Sequence, residues 1–170
     1  MNAALLLRHD LRSGHEASLA RRRAAAALTA LSMASLAAVA LYQLGCFDHL
    51  PEPPLPRLDA DRIHGSPEAY RLLHLPDAVL GLGSYAATLA LIAFGPAARA
   101  RTQPWIPLAL AGKGVLDAAQ AAALTRKSWE SYRAFSLYSL VAAGATFLVL
   151  PWIIPEAAAA ARVLRSNSRR

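Results

Sequence analysis

Apolar positions along this chain come in long unbroken runs, without the alternation of a strand or the single apolar stripe of a soluble helix. Residues 24–44, 78–95 and 134–155 carry no charge, and residues 103–124 are apolar apart from Lys113 and Asp117. A bilayer core about 30 Å thick takes roughly 20 apolar residues in a helix to cross. Lipid offers the backbone no hydrogen-bond partner, so each such run must be helical. The pattern predicts an all-α fold, a four-helix transmembrane bundle with helices near 24–44, 76–95, 103–124 and 134–155.

The polar stretches between the runs divide the chain further. Residues 1–23 form a basic tail with room for a short interfacial helix, residues 24–155 the membrane domain, and residues 156–170 a second basic tail. Residues 45–74 form the one sizeable loop. It opens with Pro51-Glu52-Pro53-Pro54-Leu55-Pro56, which cannot continue a helix and is expected to be extended. A short helix is expected between Asp59 and Leu73, with Ser66-Pro67 as its capping start. Gly95-Pro96 closes the second long helix, and residues 125–133 are expected as a short polar loop. Gly81, Gly83, Ser84, Gly112, Gly114, Ala142, Ala143 and Gly144 are small enough to let membrane helices approach closely. Arg21-Arg22-Arg23, an apolar run and Leu44-Gly45-Cys46 loosely resemble a lipoprotein signal. The run exceeds the roughly 7–15 residues of such a signal, and Gln43 sits where an aliphatic residue is wanted, so processing is not expected.

Charge sets the orientation. The net charge is +7 and the pI near 10.3, values that in a soluble protein would suggest nucleic acid. Here the placement argues for topology and anionic lipid instead. Arg8, Arg12, Arg21, Arg22, Arg23, Arg99, Arg101, Arg162, Arg165, Arg169 and Arg170 fall on one side. Arg57, Arg62, Arg71, Arg126, Lys127 and Arg133 fall on the other. The richer side is cytoplasmic by the positive-inside rule, which places both termini there and turns the 45–74 loop outward. The expected location is a bacterial inner (plasma) membrane. Cys46 is the one cysteine, so no internal disulfide can form.

Ionisable and polar groups inside a membrane helix are costly and mark candidate sites. Lys113 and Asp117 stand at i,i+4 and Gln120 continues their stripe. The two charges are either a proton or ligand site, or an ion pair that neutralises itself and orients its helix. Asp77 at the outer mouth of the second helix is either a helix-start acid favoured by the macrodipole or a group facing a ligand. Ser136 and Ser139 lie in the outer part of the last helix, where serines commonly bond the preceding turn or a neighbour. Helix direction puts Asp77, Asp117, Gln120, Ser136 and Ser139 in the same outer half, where a pocket roofed by the loop fits. His49, His64 and His74 share the loop with Asp59 and Asp61, but their spacing matches no metal-ligand pattern, and they are expected to be solvated.

This layout resembles the vitamin K epoxide reductase family. Gly65-Ser66-Pro67-Glu68-Ala69-Tyr70-Arg71-Leu72-Leu73 resembles the family's loop segment, and Pro76-Asp77-Ala78-Val79-Leu80-Gly81-Leu82-Gly83-Ser84-Tyr85 its second-helix opening. Ala134-Phe135-Ser136-Leu137-Tyr138-Ser139-Leu140 stands where the family has a C-x-x-C pair. The resemblance implies quinone chemistry: the family reduces quinones or quinone epoxides through that thiol pair, recharged by a loop cysteine pair. Here Ser136 and Ser139 replace the thiols, and the loop pair is missing, with Asp59 and Asp61 near its second position. A hydroxyl forms no disulfide, so the thiol relay is absent. The resemblance also implies a quinone pocket in which Asp77 replaces an asparagine and Ala143 a tyrosine.

Three functions follow as expectations. The first is a family-like membrane protein that retains a quinone pocket, with Asp77, Ser136, Ser139 and Gln120 as ligand-binding candidates. The second is a structural or assembly subunit of a larger membrane complex. The third is an enzyme with non-thiol chemistry through Asp77 and the Lys113–Asp117 pair. Quinone is the one cofactor implied; no metal, flavin or haem motif is present, and nucleic acid is not an expected partner.

Overall fold

The computed structural model describes residues 2–71 and 74–168. Leu72 and Leu73 of the loop motif and Arg169 and Arg170 of the tail lie outside the described residues. Among the described residues the fold is all-helical, with one isolated bridge between Leu58 and Phe135 and no strand. The helices are α1 (Ala3–Ser13), α2 (Ala17–Gln43), α3 (Ala60–His64), α4 (Asp77–Ala93), α5 (Arg99–Thr102), α6 (Trp105–Tyr132) and α7 (Leu137–Asn167), with a 3₁₀ turn over Pro67–Tyr70.

Local chemistry explains the boundaries. Asn2 caps α1 by accepting from the Ala4 amide at 3.1 Å. The Arg23 guanidinium ties the far end of α1 to α2 by donating to the Leu11 and Gly14 carbonyls at 3.0 and 2.8 Å. Gly45, at φ 76°, takes the left-handed position that ends α2, with Gly45 N donating to Tyr42 O and Cys46 N to Leu41 O, both at 2.9 Å. α6 continues through residues 125–132, where the sequence predicted a polar loop. Its last turns are built of good helix formers such as Lys127 and Glu130, and an Arg126–Glu130 pair at i,i+4 supports them. The helix stops only at Arg133, which is left-handed at φ 53°. The helix expected between Asp59 and Leu73 is split. Asp59 caps α3 through Arg62 N, while Ser66 precedes the 3₁₀ turn without capping it and donates instead to Ile63 O at 2.8 Å.

α2 packs against α7 and α4, and α7 also packs against α6. The buried face of α2 reads Arg22, Ala25, Thr29, Ser32, Ser35, Val39 and Gln43, while Leu31 and Leu41 face outward. Ser32 and Ser35 donate to the Ala142 and Tyr138 carbonyls of α7 at 3.1 and 2.8 Å. Small polar groups inside and leucines outside invert the pattern of a water-soluble helix. Val115, Leu116, Phe147, Leu148 and Ile154 are likewise exposed on α6 and α7. α2 and α7 are each long and apolar enough to cross a membrane, whereas α4 is apolar but has 17 residues.

Of the small residues singled out above, two sit at tight helix contacts. A Cβ on Gly81 would meet Leu36 Cδ1 at 2.7 Å, and one on Gly114 would meet Ile153 Cδ1 at 2.6 Å. Gly83, Gly112 and Gly144 face open space. Gly114→Leu is therefore expected to destabilise the fold by about 1–3 kcal/mol through overpacking. Gly112→Ala should stay within about 0.5 kcal/mol of the parent. Thermal melting in mild detergent checks both, and a Gly114→Leu chain as stable as the parent would show that α6 and α7 are not held at this spacing.

Candidate functional site

The chain must leave α2, cross the 45–74 loop and enter α4, and one side chain organises that passage. Gln43, the last residue of α2, donates through Nε2 to Asp77 Oδ1 at 2.7 Å and to the His64 carbonyl at 3.2 Å. Its Oε1 accepts from Ala78 N at 3.3 Å, and its own carbonyl accepts from the Tyr70 hydroxyl at 3.1 Å. α2, α3, the 3₁₀ turn and the start of α4 are thus joined at one residue. Glu52 does similar work on the far side of the loop, accepting from Ala60 N at 2.7 Å and from Leu137 N, the first amide of α7. The Tyr138 hydroxyl donates to Pro51 O at 2.8 Å, drawing the loop onto α7.

Under this roof lies a cavity of about 510 Å³ between α2, α4, α6 and α7. Asp77, Asp117, Gln120 and Ser139 all line it. Its apolar wall includes Leu36, Leu80, Leu124, Ala142 and Ala143. Ser136 does not line it. The residue is 1% exposed, and its hydroxyl caps α7 by accepting from Ser139 N at 3.4 Å. Lys113 stands behind the cavity wall, its Nζ donating to both Asp117 oxygens at 2.6 and 2.7 Å and to Ser84 Oγ at 2.8 Å. Asp117 also accepts from Ser84 at 3.3 Å and Thr88 at 3.0 Å, so the pair fastens α6 to α4.

His64 departs from expectation. It was read with His49 and His74 as a solvated loop residue, yet it is only 6% exposed. Gln43 holds its carbonyl, and its Nε2 lies 3.3 Å from Ser139 Oγ at the cavity wall. Burial pushes its pKa down from the ordinary histidine value, against the opposing pull of the Asp77 charge, so the ring is neutral at pH 7. Gln43 and Tyr85, whose hydroxyl pairs with Thr146 Oγ1 at 2.5 Å, were also missed as site residues. The signal for Gln43 was its place on the seven-residue stripe of Ser32, Ser35 and Val39.

A second polar cluster occupies the opposite end of the bundle. Arg22 and Arg99, read from sequence as topology charges, are buried around Glu156. Arg99 is fully buried and donates to both Glu156 oxygens at 2.9 and 2.8 Å and to the carbonyls of Leu91, Ile92 and Phe94. Those carbonyls belong to the end of α4, which Arg99 closes. Arg22 donates to Glu156 at 2.9 Å and to the Gly95 and Pro96 carbonyls at 3.1 and 2.8 Å. The cluster joins four helices, α2, α4, α5 and α7, and opens on no cavity that holds the candidate residues.

Among the described residues no group of His, Cys, Asp or Glu converges as a metal site. Cys46 is exposed and free. A family model described as the vitamin K epoxide reductase family matches residues 21–154. No curated protein and no solved structure matches the chain.

Proposed function

Because the chain belongs to the vitamin K epoxide reductase family, we propose that it is a four-helix integral membrane protein that keeps a quinone-type ligand pocket without the thiol relay. In this reading α2, α4, α6 and α7 cross the membrane, both termini are cytoplasmic in a bacterial inner membrane, and the loop roofs the pocket outside. The observation that carries it is the cavity itself, with Asp77 held at its mouth by Gln43, and Gln120, Asp117 and Ser139 around it. Its volume and mixed lining suit a small ring with an apolar tail. Ser136 and Ser139 cannot store electrons as a disulfide, so any redox step would need a carrier from outside the chain.

Purification in mild detergent, solvent extraction and chromatographic assay test this. Stoichiometric ligand of the quinone type, oxidised and reduced forms counted together, is the expected result in the native chain, with the hydroxyl-bearing form falling at least about tenfold in Asp77→Ala, from loss of the hydrogen bond it donates to an ionised group. A chain that carries none and shows no saturable uptake would end the reading. The second reading, an assembly subunit, draws on Gly112 and Gly144, which are exposed small residues with room for a partner helix. A partner retained in stoichiometric amount through purification would favour it.

A further inference from the structure

Gln43 decides what kind of group Asp77 can receive. An amide side chain has two ends that look alike, but here backbone groups tell them apart. Ala78 N is a donor and faces Oε1, while the His64 carbonyl is an acceptor and faces Nε2. The end that reaches Asp77 Oδ1 at 2.7 Å is therefore the NH₂, and Oδ1 is an acceptor. Asp77 is exposed at the first turn of α4, where water and the helix macrodipole both favour negative charge. As a carboxylate it accepts through both oxygens and donates through neither. Oδ2 has no protein partner among the described residues, and Asp77 lines the cavity.

From this, and resting on the pocket proposed above, we infer that Asp77 selects the hydroxyl-bearing form of a ring ligand, a hydroquinone or other phenol, over a quinone that offers only carbonyls. A phenolic O–H donates to Oδ2 in a charge-assisted hydrogen bond. A quinone carbonyl would set one acceptor against another and leave both unpaired.

The test is binding of a short-chain benzoquinone and its two-electron-reduced hydroquinone, measured anaerobically by equilibrium dialysis against protein-free micelles. The native chain is expected to hold the hydroquinone about tenfold more tightly, the size of one hydrogen bond to a charged group. Asp77→Asn keeps a carbonyl for Gln43 and turns an NH₂ toward the ligand, so the preference should vanish or reverse. Equal affinity of the native chain for both forms overturns the inference and leaves the pocket standing. So does an undiminished hydroquinone preference in Asp77→Asn. Binding of neither form overturns the inference and the proposed pocket together. The native comparison needs no variant, so a poorly folding Asp77→Asn would not rescue the idea.

Discussion

Glu156→Ala is expected to destabilise the chain by about 3–5 kcal/mol, because it strands two guanidinium groups in the interior. Glu156 is the carboxylate that both Arg22 and Arg99 bond, and the side chains of all three are at most 8% exposed. Arg99 would keep its three carbonyl partners at the end of α4, but its charge would have no counterion. For a chain of this length the loss corresponds to about 10 °C in melting temperature, measurable in mild detergent. Arg99→Lys should fail nearly as badly, since one ammonium cannot reproduce a fork that meets two carboxylate oxygens and three carbonyls. Glu156→Gln should fall between, keeping an acceptor but no charge. A Glu156→Ala chain melting within 2 °C of the parent, on the order of 0.5–1 kcal/mol, would mean the cluster is not formed in the membrane.

Lys113→Met has the next largest expected effect, about 2–3 kcal/mol, below the range for a fully buried pair because Lys113 keeps some contact with its surroundings. Its side chain is 24% exposed and that of Asp117 is 11% exposed. The substitution leaves Asp117 with two hydroxyl donors, Ser84 and Thr88, and no cation. Lys113→Met with Asp117→Leu should recover much of the loss, since the stranded charge goes with its partner. The same preparations separate the two readings of the pair. If the pair only fastens α6 to α4, the refolded double variant keeps its quinone; if it belongs to the ligand site, quinone is lost at full stability.

The helical runs were legible because membrane helices announce themselves by length and lack of charge, and the loop motif and second-helix opening carried the family. That Asp77, Asp117, Gln120 and Ser139 share one cavity wall was legible from helix direction alone, since helices of alternating direction bring the same ends together. Ser136 was misplaced as a ligand group because a serine three residues before another reads equally as a cap. His64 and Gln43 escaped for a different reason. Each is an ordinary polar residue at the edge of the membrane, and only the folded loop shows that they bond across it. Arg22 and Arg99 were hidden by their own company: among so many arginines at this end of the chain's helices, nothing in the sequence marks the two that turn inward to Glu156.

The arginine clamp also orders the making of the protein. Arg22 precedes its carboxylate by 134 positions, and Arg99 precedes it by 57. During synthesis both cations emerge long before Glu156, so this end of the growing bundle keeps two charges without their counterion until the last helix is made. A chain that stops short of α7 lacks the carboxylate that pairs with both arginines and cannot close the clamp. The final helix thus acts as the completion signal for the whole fold.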